Sequence, residues 1–195
     1  TSVVDIAVNP PDAGQSERIL VSPEGIAFDW ISKKVYFADR RLATVSSMNM
    51  DGSQKVTLLR ARFPRAIVLD PCNGHMYFSI WGYGTAAIEM CSLSGHNRTE
   101  IVNSDLRWPN GLSVDFEDQK LYWADAFLDK IERSSLTGQY RETIVSTVVH
   151  PFSITVFSHH IYWTDWTLKG IYRADKHTGA NQVTMVQGLP KRPMD

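Results

Sequence analysis

Tyr162-Trp163-Thr164-Asp165 is the last of four related tetrapeptides. It follows Tyr36-Phe37-Ala38-Asp39, Tyr77-Phe78-Ser79-Ile80 and Tyr122-Trp123-Ala124-Asp125, at spacings of 41, 45 and 40 residues. A proline precedes each one (Pro23, Pro64, Pro109 and Pro151), by 13, 13, 13 and 11 residues. A glycine follows each one, at Gly52, Gly95, Gly138 and Gly179, and three residues further on come Lys55, Arg98, Arg141 and Gln182. Agreement at so many points marks an internal repeat, and a repeat of this length decides the architecture before any single element does.

Within a unit, alternating apolar residues after the proline predict a first strand, as in Gly25-Ile26-Ala27-Phe28-Asp29 and Gly111-Leu112-Ser113-Val114-Asp115. A polar turn (Ser32-Lys33-Lys34 or Glu117-Asp118-Gln119) leads to a second strand carrying the tyrosine motif. Val45 to Met50 and Lys130 to Leu136 predict a third strand, and Lys55 to Leu59 and Glu142 to Val145 a fourth beyond the glycine turn. Runs of Val, Ile, Tyr and Trp bounded by Gly, Asp, Asn and Pro favour strands, and no 12-residue stretch keeps a 3.6-residue period. Four short strands per unit describe a β-propeller blade. The chain is therefore expected to be all-β, a single partial propeller domain over residues 1–195. Blades are expected at 22–62, 63–106, 107–148 and 149–188, with the end of a preceding blade at 1–21 (strands Ser2 to Val8 and Ser16 to Val21) and the start of a closing segment at 189–195. A closed ring exposes no apolar face or sheet edge, so four blades alone are expected to fold poorly.

Lys and Arg number 20 against 21 Asp and Glu, which argues against a nucleic-acid-binding surface. No run approaches the roughly 18 apolar residues of a membrane span, and residues 1–11 lack the pattern of a signal peptide. An interior part of a longer, processed chain is expected, attached to a membrane only through a span elsewhere. Two cysteines are too few for a disulfide scaffold or a metal site, and no metal or cofactor is expected. No G-x-S-x-G, Walker or His-x-x-x-His pattern occurs, and the first strands offer no convergent acidic set, so catalysis is not expected.

At the tetrapeptides the chain resembles the YWTD β-propellers of the low-density lipoprotein receptor family, megalin among them. Tyr162-Trp163-Thr164-Asp165 is that motif verbatim. Trp108-Pro109-Asn110-Gly111 is similar to the opening of the fifth repeat, His150-Pro151-Phe152-Ser153 to that of the sixth, and the Pro64 to Pro71 stretch to the fourth. The resemblance implies a six-bladed propeller, of which this chain covers repeats three to six and the tail of the second. It also implies the ectodomain of an endocytic receptor at the cell surface and in the endosomal lumen. EGF-like and cysteine-rich ligand-binding modules would neighbour it, with protein ligands released in acid. The same blade occurs in nidogen-like matrix proteins and in Wnt co-receptor-like proteins. In the latter, a pocket at the Trp-Pro-Asn-Gly turn takes a ligand asparagine, and Trp108 and Asn110 match it. Two departures stand out: Ser79-Ile80 in place of Thr-Asp, and Phe157 where other units have Asp29, Asp70 and Asp115. Tyr36, Tyr77, Tyr122, Trp123, Tyr162 and Trp163 are read as filling between blades. Asp39, Asp125 and Asp165 are read as satisfying donors at strand ends, not as catalytic acids or metal ligands.

Strand alternation puts the loops before each proline and after each tyrosine motif on one rim. That rim collects Ser22, Glu24, Arg40, Phe63, Arg65, Trp81, Trp108, Asn110, Phe127, His150, Phe152 and Trp166. Aromatics and arginine are enriched at interface hot spots. A protein-binding rim is therefore expected, with Arg40, Arg65, Trp81, Trp108, Asn110, Phe127, His150 and Trp166 as candidates. For Trp108, Phe152 and Phe63 the alternative is plugging the core between blades. His150 is the only histidine on this rim and could charge in acid; the other five fall in or near turns. The sequon Asn97-Arg98-Thr99 would place a glycan on the opposite rim. Cys72 in a turn and Cys91 near the end of a third strand approach that same rim. First and third strands lie about 9.6 Å apart, beyond the roughly 7 Å limit for a disulfide, but a turn residue can lean inward. A disulfide is expected, with two free thiols as the alternative.

Overall fold

Each tetrapeptide lies in the second strand of a four-stranded antiparallel sheet. A computed structural model describes residues 20–194, which hold sixteen strands and no helix. The first sheet comprises β1 (Pro23–Asp29), β2 (Lys34–Asp39), β3 (Thr44–Asn49) and β4 (Val56–Arg60), and the second β5 (Pro64–Asp70), β6 (His75–Ile80), β7 (Ala87–Ser92) and β8 (Thr99–Val102). The third comprises β9 (Pro109–Asp115), β10 (Lys120–Asp125), β11 (Lys130–Ser135) and β12 (Glu142–Val145), and the fourth β13 (Pro151–Phe157), β14 (His160–Asp165), β15 (Gly170–Asp175) and β16 (Val183–Val186). Strands pair in chain order within each sheet. The first strand begins at the proline, which needs no ladder partner for an N–H it does not have; Pro109 faces Asp125 across a bulge. The strand expected at 2–8 and most of that at 16–21 lie outside the described residues, and Leu20 and Val21 are not in a strand.

The sheets are blades. Neighbouring first strands pack side by side: β1 on β5, β5 on β9 and β9 on β13. Alternation along the second strand sends adjacent aromatics to opposite neighbours. Trp123 packs with Tyr77, Ile88 and Val114 towards the second blade. Tyr122 packs with Ile154, Ile161 and Trp163 towards the fourth. Both are fully buried. An aromatic of this size buries 150–250 Å², or roughly 4–6 kcal/mol of gross apolar transfer. At the two ends of the row the apolar faces stand open, with Ile26 66%, Phe28 42% and Phe157 72% exposed.

The residues three positions beyond Gly95, Gly138 and Gly179 tie blades together. Arg98 pairs with the Glu89 carboxylate and donates to the Arg60 carbonyl (2.6 Å) in the preceding blade. Arg141 repeats this on Glu132, with the Ser104 (2.6 Å) and Asp105 (3.0 Å) carbonyls. Gln182 donates to Thr147 Oγ1 instead (3.0 Å). Gly138 and Gly179 are needed there twice over. Each has positive φ, and a Cβ on either would lie 2.0 Å from the preceding blade's Ile101 or Ile144 carbonyl oxygen.

Candidate protein-binding rim

Three motif aspartates build the rim's frame. Asp39 accepts backbone N–H bonds from Val21 (2.7 Å) and Ser22 in the loop before β1, and from Arg41 (3.0 Å) and Leu42 (2.9 Å) after β2. Asp125 gathers Arg107 (2.7 Å), Trp108 (3.1 Å), Phe127 (3.0 Å) and Leu128 (3.1 Å). Asp165 gathers Val149 (3.3 Å), His150 (3.0 Å), Thr167 (2.9 Å) and Leu168 (2.8 Å). Burial alone would raise the Asp39 pKa; the four N–H donors outweigh it and hold the carboxyl below its ordinary value. In the second blade Ile80 takes this position. Only a backbone bond from Trp81 N–H to the Phe63 carbonyl (3.0 Å) joins the two loops there. The loop after β6 is longer, at residues 81–86, and carries Tyr83 outward, 68% exposed.

On this frame the rings run unbroken from blade to blade. Trp81 meets Trp108 (centroids 5.3 Å), and Trp108 meets Phe127 (5.0 Å) and His150 (6.2 Å). His150 stacks on Trp166 (5.8 Å), which stacks on Phe152 (4.2 Å), and Tyr83 packs edgewise on Phe127 (5.7 Å). Arg65, buried and paired with Glu24, lies over both Trp81 and Phe152 (4.9 Å each). Arg40 lies over Phe63 and Trp81. Trp81, Trp108, Asn110, His150 and Trp166 line one cavity of about 300 Å³, together with Arg65, Phe152, Thr167 and Arg192. Phe152 is buried, Phe63 is 39% exposed and Phe127 44%; Trp108 is partly buried. Burial raises the pKa of Asp129, on the loop after β10; the His150 charge opposes the shift and the neighbouring Asp165 and Asp125 charges add to it. Tyr83 and Arg192 belong to this surface but were not among the candidates. Tyr83 lies in a candidate loop; Arg192 comes from the closing segment, and its spacing carries no signal.

The opposite mouth corrects the expected disulfide. Cys72 and Cys91 are both free. Strand β6 lies between them, Cys91 opposing Met76 on its buried face, while Cys72 turns to solvent. Burial pushes the Cys91 thiol up to about 12. Asn97 is exposed at positive φ (55°), the conformation shared by Gln54, Tyr140 and Asn181 in the other blades. Lys176, which the sequence does not flag, reaches from the turn after β15 to Asp115 (2.7 Å) and Asp118 (2.8 Å) of the third blade.

A family model described as low-density lipoprotein receptor repeat class B matches residues 74–116 and 119–158. The vitellogenin receptor of Solenopsis invicta is 34% identical over 169 residues, 86% of this chain and 9% of that protein. A crystal structure of a nidogen/laminin complex contains a chain that is 30% identical, with a TM-score of 0.80 over 88% of this chain and 65% of that one. This is a YWTD propeller segment of the low-density lipoprotein receptor family. The sortilin-related receptor of Oryctolagus cuniculus is 42% identical over 98 residues, half of this YWTD segment and 4% of that receptor. The segment thus spans less than a tenth of the length of either receptor.

Proposed function

We propose that this propeller segment is an extracellular protein-binding module of an endocytic lipoprotein-receptor-type protein, acting by binding and not by catalysis. The observation that carries this reading is the continuous ring surface around one cavity on the rim. Exposed aromatics in loops, flanked by arginine, are the composition of an interface core. Protein ligands, or neighbouring EGF-like or cysteine-rich modules of the same receptor, dock there. In the acid endosomal lumen they are released; His150, the rim histidine, lies between Trp108 and Trp166 in the cavity lining. A glycan on Asn97, in the turn after β7, leaves the rim clear. The likeness to the nidogen complex supports a second reading, a matrix protein that anchors a partner without internalising it; a Wnt co-receptor-like module is a further variant of the same docking.

Uptake of the surface-labelled full-length protein and its bound ligand separates these. An endocytic receptor internalises both and lets the ligand go near pH 5.5, about one unit below the ordinary histidine value. Trp108→Ala removes binding, whereas His150→Asn keeps binding and loses the acid release. Binding without uptake favours the matrix reading, and binding indifferent to Trp108→Ala rules out the rim.

A further inference from the structure

The same rim shows a charge pattern that specifies its partner. The chain as a whole carries a net charge of −1, yet the rim loops hold Arg40, Arg62, Arg107 and Arg192, with Lys169 and Lys191 beside them. The opposing carboxylates on those loops are Asp105 and Asp129; Asp39, Asp125 and Asp165 are turned inward onto backbone N–H groups of the loops, and Glu24 is taken by Arg65. Each of the four guanidinium groups lies over a ring of this surface. Arg40 is 5.7 Å from the Trp81 centroid, Arg62 5.3 Å from Phe63, Arg107 5.8 Å from Tyr83 and Arg192 5.3 Å from Trp166. A guanidinium over a ring and without a carboxylate partner keeps N–H donors for a planar, two-oxygen acceptor. Among the described residues, Arg62, Arg107 and Arg192 have no carboxylate within ion-pair distance, and Arg40 has only the shared Glu24 at 3.9 Å. Among the residues lining the cavity, Trp81 Nε1 and Trp166 Nε1 are buried donors without an acceptor, and Asn110 Oδ1 is a buried acceptor without a donor. Buried polar groups of this kind normally find partners.

We propose, resting on the protein-binding reading of the rim, that its partner is an acidic polypeptide segment. An apolar side chain of that segment enters the cavity between Trp81, Trp108 and Trp166. Flanking Asp or Glu carboxylates take the N–H donors of Arg62, Arg107 and Arg192. A basic segment would set its own cations against those guanidiniums, and like-charge juxtaposition selects against a partner.

The test measures fluorescence anisotropy of short labelled peptides on the full-length protein. The peptides share one apolar core and carry acidic, neutral or basic flanks, and single-stranded oligothymidylate is the non-peptide polyanion. The acidic peptide is expected to bind about tenfold more tightly than the other two and to weaken as NaCl screens the pairs. Reversal of Arg62, Arg107 and Arg192 to Glu is expected to abolish that preference and turn it towards the basic peptide. The milder change of all three to Gln, with an unchanged melting profile as the folding control, removes the preference without inverting it. Trp166→Ala weakens every peptide. Neutral or basic peptides preferred, but still lost in Trp166→Ala, would overturn the acidic partner and leave the rim intact. Acidic binding indifferent to all variants would overturn both. Oligothymidylate bound as tightly and lost on reversal would point to nucleic acid, and absence of any binding would overturn the proposal outright.

Discussion

Lys176 Nζ sits 2.7 Å from Asp115 Oδ2 with only 2% and 4% of the two side chains exposed, joining the third and fourth blades at the mouth opposite the rim. Met50, Leu93 and Leu136 occupy the corresponding position after the third strand of the other blades. Burial alone would lower the lysine pKa; hydrogen bonds to Asp115 and Asp118 outweigh it and leave the ammonium more firmly charged than usual. Asp115→Ala removes the buried member of the pair and leaves Lys176 only the more exposed Asp118 (2.8 Å) and Glu117 (3.7 Å) carboxylates, so it is expected to cost about 3 kcal/mol. Lys176→Leu restores the usual residue and leaves Asp115 two backbone donors, from Glu117 (3.1 Å) and Asp118 (3.2 Å). It is expected to cost about 1–2 kcal/mol, closer to the price of one charged hydrogen bond. Guanidinium denaturation of both variants measures the order, and a costlier Lys176→Leu would contradict it.

Acid acts on Asp39 with a definite sign. Its folded pKa lies below the ordinary 3.8. The carboxylate therefore contributes stability that is complete above the unfolded value and lost as pH falls through the folded one. Asp39→Asn is expected to lower stability at neutral pH by on the order of 2 kcal/mol and to flatten the acid limb of the melting temperature against pH. A limb as steep as in the unaltered protein would show that another group titrates there.

The two thiols should separate cleanly. With its pKa pushed up to about 12 by burial, Cys91 stays protonated and shielded at neutral pH, while Cys72 is exposed. Iodoacetamide without reductant is expected to add one label to the native protein and two after unfolding. Labels that appear only after reduction would restore the disulfide.

Gly111 is a point of blade-to-blade approach, where an added Cβ would meet Ile154 N and the Phe152 carbonyl oxygen at 2.8 Å. Gly111→Ala must push the fourth blade's first strand away, at about 1–3 kcal/mol. Asn110 and Phe152 flank that contact, so ligand binding at the rim is expected to weaken together with thermal stability. A variant with normal melting and normal binding would show that the strands yield freely.

Sequence and structure agree where the pattern is local and repeated. The alternation that sends Trp123 to one neighbour and Tyr122 to the other follows from strand geometry alone, as does the shared rim of Trp81 and Trp166. What stayed hidden depends on distant meetings. Lys176 and Asp115 are 61 residues apart, and a lysine in a leucine position declares no partner. The placement of Arg62, Arg107 and Arg192 over rings is invisible until the loops are folded. The cysteines misled because both sit near one mouth; the intervening strand and the buried aspect of Cys91 keep them apart.

Because Asp39, Asp125 and Asp165 grip the main chain of the loops, the outward side chains in those loops are free of structural duty. Those side chains can thus be exchanged while the scaffold beneath stays put. A change at one of the three carboxylates would instead dislocate several neighbouring rim side chains at a stroke.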